Sequence, residues 1–488
     1  MSDVSEGGGR RLIETRSIDY VPASERHGKV WHQGPFWFTG NFVLPTMVVG
    51  FAGPAAGLSL TWSVIAVVLG VCVGTFFMAF HANQGPRMGL PQMIQSRAQF
   101  GSRGAILPFT ATVFVYVGFI VFDIVLGAQA LRTVLPGGNW FWYPLLTLLA
   151  LVIAIVGHDL LHVMQRWLTY VLMLFFGVFT IYAIAHLGGH ATPEKAGWSS
   201  TGFMVLFSAA AGYQISYAVY VSDYSRYLPE RTPARGVIFW TYLGAAGSAV
   251  WLMSLGALLA SRLPEPDGVT SLVSVGNQML PHFGTALVLI SAPALVSISA
   301  VNAYGAMLTG VSAVDGFRAV ATGLRTRITG IVVIAVLAVV IALVLPADYL
   351  SSFNNFVLLM LYFLIPWTAV NLVDFYFVRH GHYAIVEIFK PEGMYGRWGR
   401  RGLIAYVVGL LATVPFMVIS FYTGPIAHAL GDVDISFAVG LVVAGGLYYL
   451  LSRNLDLTAE AAAIEAGRRE LDALVAQEPR ATVRKAEA

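Results

Sequence analysis

Apolar runs long enough to cross a bilayer succeed one another along nearly the whole chain, and this excludes a soluble fold. Read as stretches of roughly 20 apolar residues, they fall at about 34–57, 59–81, 105–135, 141–157, 163–187, 202–221, 236–261, 284–311, 328–346, 353–378, 403–424 and 434–452. In hydrocarbon every backbone N–H and C=O must be satisfied within the segment, so such runs can only be helices. Only 11% of the 488 residues are charged, against about a quarter in soluble domains. The expected fold class is an all-α polytopic membrane protein with twelve transmembrane helices. The residues before the first span are polar and hold Arg10, Arg11, Arg16, Arg26 and Lys29, so no cleavable signal peptide is expected. Cys72, the single cysteine, lies inside a span, which rules out a disulfide framework and a thiolate metal site.

The cations fix the topology. With both termini placed in the cytoplasm, only Arg132, Lys195 and Arg262 of the 29 Lys and Arg fall outside. That bias is what the positive-inside rule requires, and it would vanish if one span were miscounted. The chain is thus expected in the cytoplasmic (plasma, or inner) membrane, with the lipid bilayer as partner and no nucleic acid. The inside segment 82–104 is too rich in Gly, Pro and Arg for a span and reads as re-entrant or interfacial. The outside segment 261–284 could form a small helix over the external entrance. The tail beyond Ser452 reads as a polar, solvated helix.

The first span, GPFWFTGNFVLPTMVVGFAGPAAG, carries Gly40, Asn41 and Pro45 near its middle. Pro45 lacks an N–H and crowds the preceding turn, and Gly40 adds backbone freedom. Either this is an ordinary proline kink, or the freed backbone lines a mid-membrane site for a small molecule or ion. A second span, GFMVLFSAAAGYQISYAVYV (202–221), is interrupted where Ser208–Gly212 give way to Tyr213 and Gln214. It follows five helices after the first. Two broken spans at matching places in two five-helix units point to an inverted-repeat transporter. The expected organisation is a tail (1–33), two five-helix repeats (34–187 and 202–379), two further helices (403–452) and a second tail (453–488).

Polar side chains at lipid depth mark the candidate site. Asp123 is the only acid well inside a span, and a carboxylate there costs roughly 2.5–3.5 kcal/mol on insertion scales. A buried carboxyl suits proton exchange near neutral pH; the alternative is a structural acid paired within the bundle. Phe119 lies one turn earlier on the same face and offers an aromatic plate to a flat, N–H-rich heterocycle. Asn302 presents both a donor and an acceptor, or serves as interhelical glue. Asn41 sits in the first break, where it can satisfy freed backbone. Ser297 and Ser299 could bind a cation or merely back-bond. Asp223, Arg226, Asp374 and Arg379 sit at inside span ends, where they form gating ion pairs or, more in keeping with their position, solvated interface charges; His81, His158 and His162 sit at inside ends too and read as interfacial, with no metal spacing.

The runs QGPRMGLPQMIQSRAQFGSRGAILPF (84–109), SIDYVP-x-SER-x-G (17–28), VSDYSRYLP (221–229) and LVDFYFVRHGHY (372–383) resemble the nucleobase:cation symporter family, which includes purine/cytosine permeases and a hydantoin transporter. The resemblance implies a LeuT-like 5+5 inverted repeat plus two C-terminal helices, with substrate held between spans 1, 3, 6 and 8. Counted from Pro108, the family's stacking aromatic falls on Phe119 and its polar contact on Asp123. The span 6 positions fall on Tyr213 and Gln214, and the span 8 asparagine on Asn302.

Three departures matter. Phe119 stands where tryptophan is common, and Gln214 where relatives carry an aromatic, which leaves Tyr213 as a substitute plate. Asp123 stands where relatives carry Gln, Asn or Gly, which favours a donor-rich or cationic substrate, or a proton role. Sodium-coupled members place two adjacent hydroxyls where this chain has Val296 and Ser297. Thr39 and Phe42 could still offer carbonyls, but the missing hydroxyl favours H⁺ over Na⁺. The resulting expectation is a monomeric symporter, not an enzyme and without cofactor, importing a purine, cytosine or related small heterocycle. Allantoin, a hydantoin, a pyrimidine vitamin precursor or a small cation are alternative substrates, and a membrane-embedded ligand sensor is the alternative of another class.

Overall fold

The computed structural model describes residues 18–477 apart from 157, 190–196, 264–266, 321–322 and 346–348. Arg10, Arg11, Arg16, Lys195, the last three cations of the C-terminal tail, and the side chains of His158 and His162 lie outside the described residues. Among those described, nine helices are long and apolar enough to cross a membrane, or eleven if two sharply bent pairs each count as a span. The nine correspond to spans 2 to 10 of the sequence reading, and the bent pairs begin at Val30 and Ser436. The span expected at 403–424 falls short. Its helix covers only Arg400–Thr413, then passes through a tight turn, Val414–Phe416, into a hairpin pairing Val418–Ile419 with Tyr422–Thr423. Pro415 cannot continue the hydrogen-bond ladder, which ends the helix early.

Span 1 is broken, at a place the physics of proline explains. Gln33–Asn41 gives way to Leu44–Val49, and the two halves of the span meet at 66°. Phe42 (φ −89°, ψ 67°) and the extended Val43 make the corner. Pro45 falls in the first turn of the second half, where its missing N–H removes no helical bond. The proline therefore starts a new helix rather than kinking an old one. The hydroxyl of Thr46 caps the freed carbonyl of Asn41 at 2.6 Å.

Span 6 breaks later than its small residues suggest. Ser200–Ile215 is continuous helix through Ser208–Gly212. The change comes after it, in a 3₁₀ segment, Ser216–Val219, and at Tyr220 (φ −140°, ψ 4°), before Val221–Ser225 resumes. Three consecutive alanines are strong helix formers and hold the helix together. The small residues serve close approach instead. A methyl at Gly70 or Gly74 of span 2 (Leu60–Ala82) would stand 2.4 Å from Phe207 O or 2.3 Å from Ala211 O. Span 7 (Ala234–Arg262) meets span 1 in the same manner: a methyl at Gly244 would stand 2.2 Å from Gly34 O, and one at Gly256 2.0 Å from Met47 O. Each broken span thus seats against the second helix of the other five-helix unit, as the 5+5 repeat requires.

The face bearing Tyr20 and the helix Leu457–Gln477 is closed by buried polar contacts. The segment 84–101, read as re-entrant or interfacial, lies buried apart from Arg87. It is pinned to three spans, through Gln92 N–H to Asp223 (2.7 Å), Arg97 to Asp315 (3.0 Å) and Gln99 to Asp374 (2.6 Å). Asp223, Arg226, Asp374 and Arg379 are consequently buried rather than solvated. His81 is likewise enclosed, stacked on Trp367 at 4.7 Å. Span 10 ends in a single π-turn, Asp374–Val378, that brings Arg379 back onto Asp374. The C-terminal helix Leu457–Gln477 is no free appendage. Its Glu460 is buried and bonds Arg379 (3.0 Å) and the Tyr395 hydroxyl. On the opposite side, Gly268–Met279 forms the small helix expected there, capped by Asp267 accepting from Thr270 N–H at 2.9 Å.

Candidate substrate site in the membrane core

Spans 3 (Ile106–Arg132) and 8 (Phe283–Asp315) set the site's register. The Ser299 hydroxyl donates to Asp123 Oδ2 at 3.3 Å. Two turns away, the Tyr116 ring fills the space beside Gly305, where a methyl would stand 2.6 Å from it. Sequence numbers fall along span 3 as they rise along span 8, so the helices run antiparallel. Phe119 then lies level with Asn302, one turn from Asp123 and Ser299 respectively. Asp123 is 2% exposed, Phe119 3% and Asn302 1%, so neither face of the membrane reaches them. The Asn302 carbonyl oxygen has no hydrogen-bond partner among the described residues.

The second wall is a tyrosine stripe on span 6. Tyr213, Tyr217, Tyr220 and Tyr224 recur at one-turn intervals and stay on one side as α-helix passes into 3₁₀. Asp123 lies within electrostatic reach of the first three. Tyr213 meets Phe119 edge-on (5.4 Å between centroids, 89°), so it does not provide a parallel plate. Tyr217 comes nearer to one, at 6.3 Å and 33°. Phe356 of span 10 closes the far edge of Phe119 at 5.4 Å, and Trp37 of span 1 backs Tyr217 and Tyr220. The Tyr220 hydroxyl is buried without a partner among the described residues. Sequence reasoning passed over Tyr217 and Tyr220, although a tyrosine every three or four residues from 213 to 224 was visible.

Asn41 and Gln214 are placed elsewhere. Asn41 donates to Gln214 Oε1 and to Ala245 O, each at 2.8 Å, and Gln214 donates to Thr75 at 2.7 Å. Both amides therefore tie the span 1 break and span 6 to spans 2 and 7. A 2.8 Å hydrogen bond between the Thr46 and Tyr213 hydroxyls joins this knot to the tyrosines, with Thr46's own proton on Asn41 O, and Tyr217 reaches Gly40 O at 3.4 Å. The Thr39 hydroxyl faces span 5, bonding Gln165 O at 2.8 Å, and its carbonyl accepts from Phe42 N–H at 3.0 Å. The Phe42 ring stacks on Phe38. Ser297 Oγ is buried and unpartnered among the described residues. Asn41, Gln214 and Thr46 thus make a hydrogen-bonded knot at the break.

A flat ring entering between Phe119 and Tyr217 needs about 7 Å between plates, twice a stacking distance of about 3.5 Å. Asp123 and Asn302 would meet its edge with acceptors and a donor. Among the described residues no group of three His, Cys, Asp or Glu is placed to hold a metal.

Comparison with known proteins agrees with this geometry. A model of permeases for cytosine/purines, uracil, thiamine and allantoin matches residues 20–440. Over 451 residues the chain is 39% identical to a Bacillus subtilis protein, YxlA, whose name assigns it provisionally to the purine-cytosine permeases; the match covers 90% of this chain and 96% of the relative. It is 25% identical over 469 residues to the purine-cytosine permease fcyB of Emericella nidulans, covering 90% and 88%. Among solved structures, Mhp1 in a closed conformation with bromovinylhydantoin bound superposes with a TM-score of 0.75 at 19% identity, over 93% of this chain and all of that one. The fold is therefore the LeuT-like one expected, in an integral membrane transporter rather than an enzyme. The chain belongs to the permease family for cytosine/purines, uracil, thiamine and allantoin, the nucleobase:cation symporters.

Proposed function

We propose that the chain imports a nucleobase of the purine or cytosine type, or a related small N-heterocycle, by proton-coupled alternating access. One observation carries this reading: Phe119, one turn from the buried carboxyl of Asp123, packs against the tyrosine stripe of span 6, which bonds the break in span 1. Phe119 and Tyr217 stack the ring, while Asp123 and Asn302 fix its edge. Tyr213 transmits occupancy to Thr46 and hence to the span 1 corner. Asn41 and Gln214 brace the break, and reach substrate only by exchanging the bonds they now make. Asp123 carries the coupling proton. The cation bias of the sequence supports cytoplasmic termini, and the proposed site needs only one copy of the chain. Names among the relatives, purine-cytosine permease and hydantoin permease, support a small cyclic N–H compound.

Sodium coupling is the second reading, favoured by the buried and unpartnered Ser297 hydroxyl. Ser297 stands next to Ile298, whose side chain packs on Gly40 at the break. A thermal-shift screen of purified protein against nucleobases, allantoin and hydantoins, at two pH values with and without sodium, separates these readings, because a ligand that binds the native state raises its stability. A nucleobase shift that strengthens at acid pH and ignores sodium supports the proposal. A shift that requires sodium moves the coupling to the second reading. Stabilisation by none of these compounds contradicts both.

A further inference from the structure

On the face bearing Tyr20 and the C-terminal helix, away from the membrane-core site, lies a cavity of about 840 Å³. Five separate parts of the chain wall it, represented by Tyr20, Arg87, Arg231, His382 and Arg468. The charge is one-sided. Three arginines, with His380 and His382, face a single carboxylate, Glu230, and that carboxylate is within electrostatic reach of Arg26. Arg87, Arg231 and Arg468 are exposed and form no salt bridge or side-chain hydrogen bond among the described residues.

Lone arginines on a membrane-flanking surface are ordinarily solvated, but here three converge on one concavity from segments far apart in the chain. Concave walls focus the field of like charges and raise the local concentration of counter-ions. Guanidinium forks match the oxygens of a phosphate group, and each can donate two parallel hydrogen bonds. The volume falls within the range of about 300–1,000 Å³ typical of small-molecule pockets. The C-terminal helix is a fixed wall, held by Glu460 on Arg379 (3.0 Å) and set so closely that a methyl at Gly467 would stand 3.3 Å from Val386.

We propose that this cavity binds a phosphate-bearing anion, up to the size of a nucleotide, through Arg87, Arg231 and Arg468. The site is assembled only while the C-terminal helix is docked, so its ligand holds that helix in place. The inference is independent of which heterocycle the membrane-core site takes. A phosphate of this kind comes either from a soluble ester or from an anionic lipid headgroup.

The test uses the full chain in phosphatidylcholine nanodiscs, titrated with adenosine monophosphate and with inorganic pyrophosphate, beside nanodiscs that contain phosphatidylglycerol. Melting temperature and affinity are read for the wild type and for the triple variant R87Q/R231Q/R468Q. We expect a soluble probe to raise the melting temperature, to bind roughly tenfold more weakly to the triple variant, and to weaken as salt rises. Stabilisation by phosphatidylglycerol alone, lost in the triple variant, upholds the site and makes the headgroup its ligand. No stabilisation in either arm, or equal stabilisation of wild type and variant, overturns it. Should the triple variant fail to fold, R87K/R231K/R468K keeps the charges and must retain binding, while each single Gln variant must weaken it severalfold.

Discussion

Asp123 holds a carboxyl at lipid depth with one long hydrogen bond, from Ser299 at 3.3 Å, and three tyrosine hydroxyls in electrostatic reach. Removing its ability to ionise while keeping its shape separates coupling from binding. Under the proposal that Asp123 carries the coupling proton, Asp123→Asn should cut accumulation of substrate by at least about tenfold, with normal delivery to the membrane. Quantitative uptake with labelled nucleobase in cells checks it. Phe119 is the proposed plate, and stacking on an aromatic is worth about 1–3 kcal/mol, so Phe119→Ala should weaken binding by roughly 10- to 100-fold. Tyr217 offers a ring and a hydroxyl that touches Gly40 O at 3.4 Å. Tyr217→Phe should retain most of the affinity and Tyr217→Ala should lose about as much as Phe119→Ala; equal losses in both would assign Tyr217's role to its hydroxyl. Calorimetric titration distinguishes the two.

Among the elements, the break in span 1 was legible because proline has one physical effect wherever it stands; only its role, starting a helix rather than bending one, needed coordinates. The break in span 6 was misplaced because small residues look alike whether they loosen a helix or let two helices touch. Phe119, Asp123 and Asn302 were legible because polar and aromatic groups at lipid depth are costly or conspicuous. The Asn41–Gln214 pairing was not, since nothing local says which of two buried amides faces the other across 173 positions. Burial of Asp223, Arg226, Asp374 and Arg379 was missed for the same reason: the covering segments 84–101 and Leu457–Gln477 reach them only in three dimensions. Two predictions belong here. Gly74→Val and Gly244→Val, which push a side chain onto Ala211 O and Gly34 O, should each lower the melting temperature or abolish folding, and should do so comparably, because the two approaches are equally close, at 2.3 and 2.2 Å. Glu460→Gln removes one of the two carboxylates on Arg379, which keeps its pair with Asp374, so it weakens the docking of the C-terminal helix rather than the fold. Hydrogen exchange should then rise across Leu457–Gln477 and leave span 3 unchanged.

For the whole molecule, the account is of two broken helices seated against spans 2 and 7, moving relative to spans 3 and 8 around a site between them. In this structure the site is closed from both sides, and the terminal face is sealed by the segment 84–101 pinned to spans 6, 8 and 10. Opening toward that face has to exchange the Gln92–Asp223, Arg97–Asp315 and Gln99–Asp374 contacts for water. The most direct test of the central claim is accumulation driven by an imposed pH gradient in proteoliposomes, compared with substrate exchange at equal pH, for the wild type and Asp123→Asn. The account predicts that the wild type concentrates a nucleobase when the outside is acidic, with or without sodium, while Asp123→Asn exchanges substrate but no longer concentrates it. Gradient-driven accumulation by Asp123→Asn equal to the wild type would contradict it.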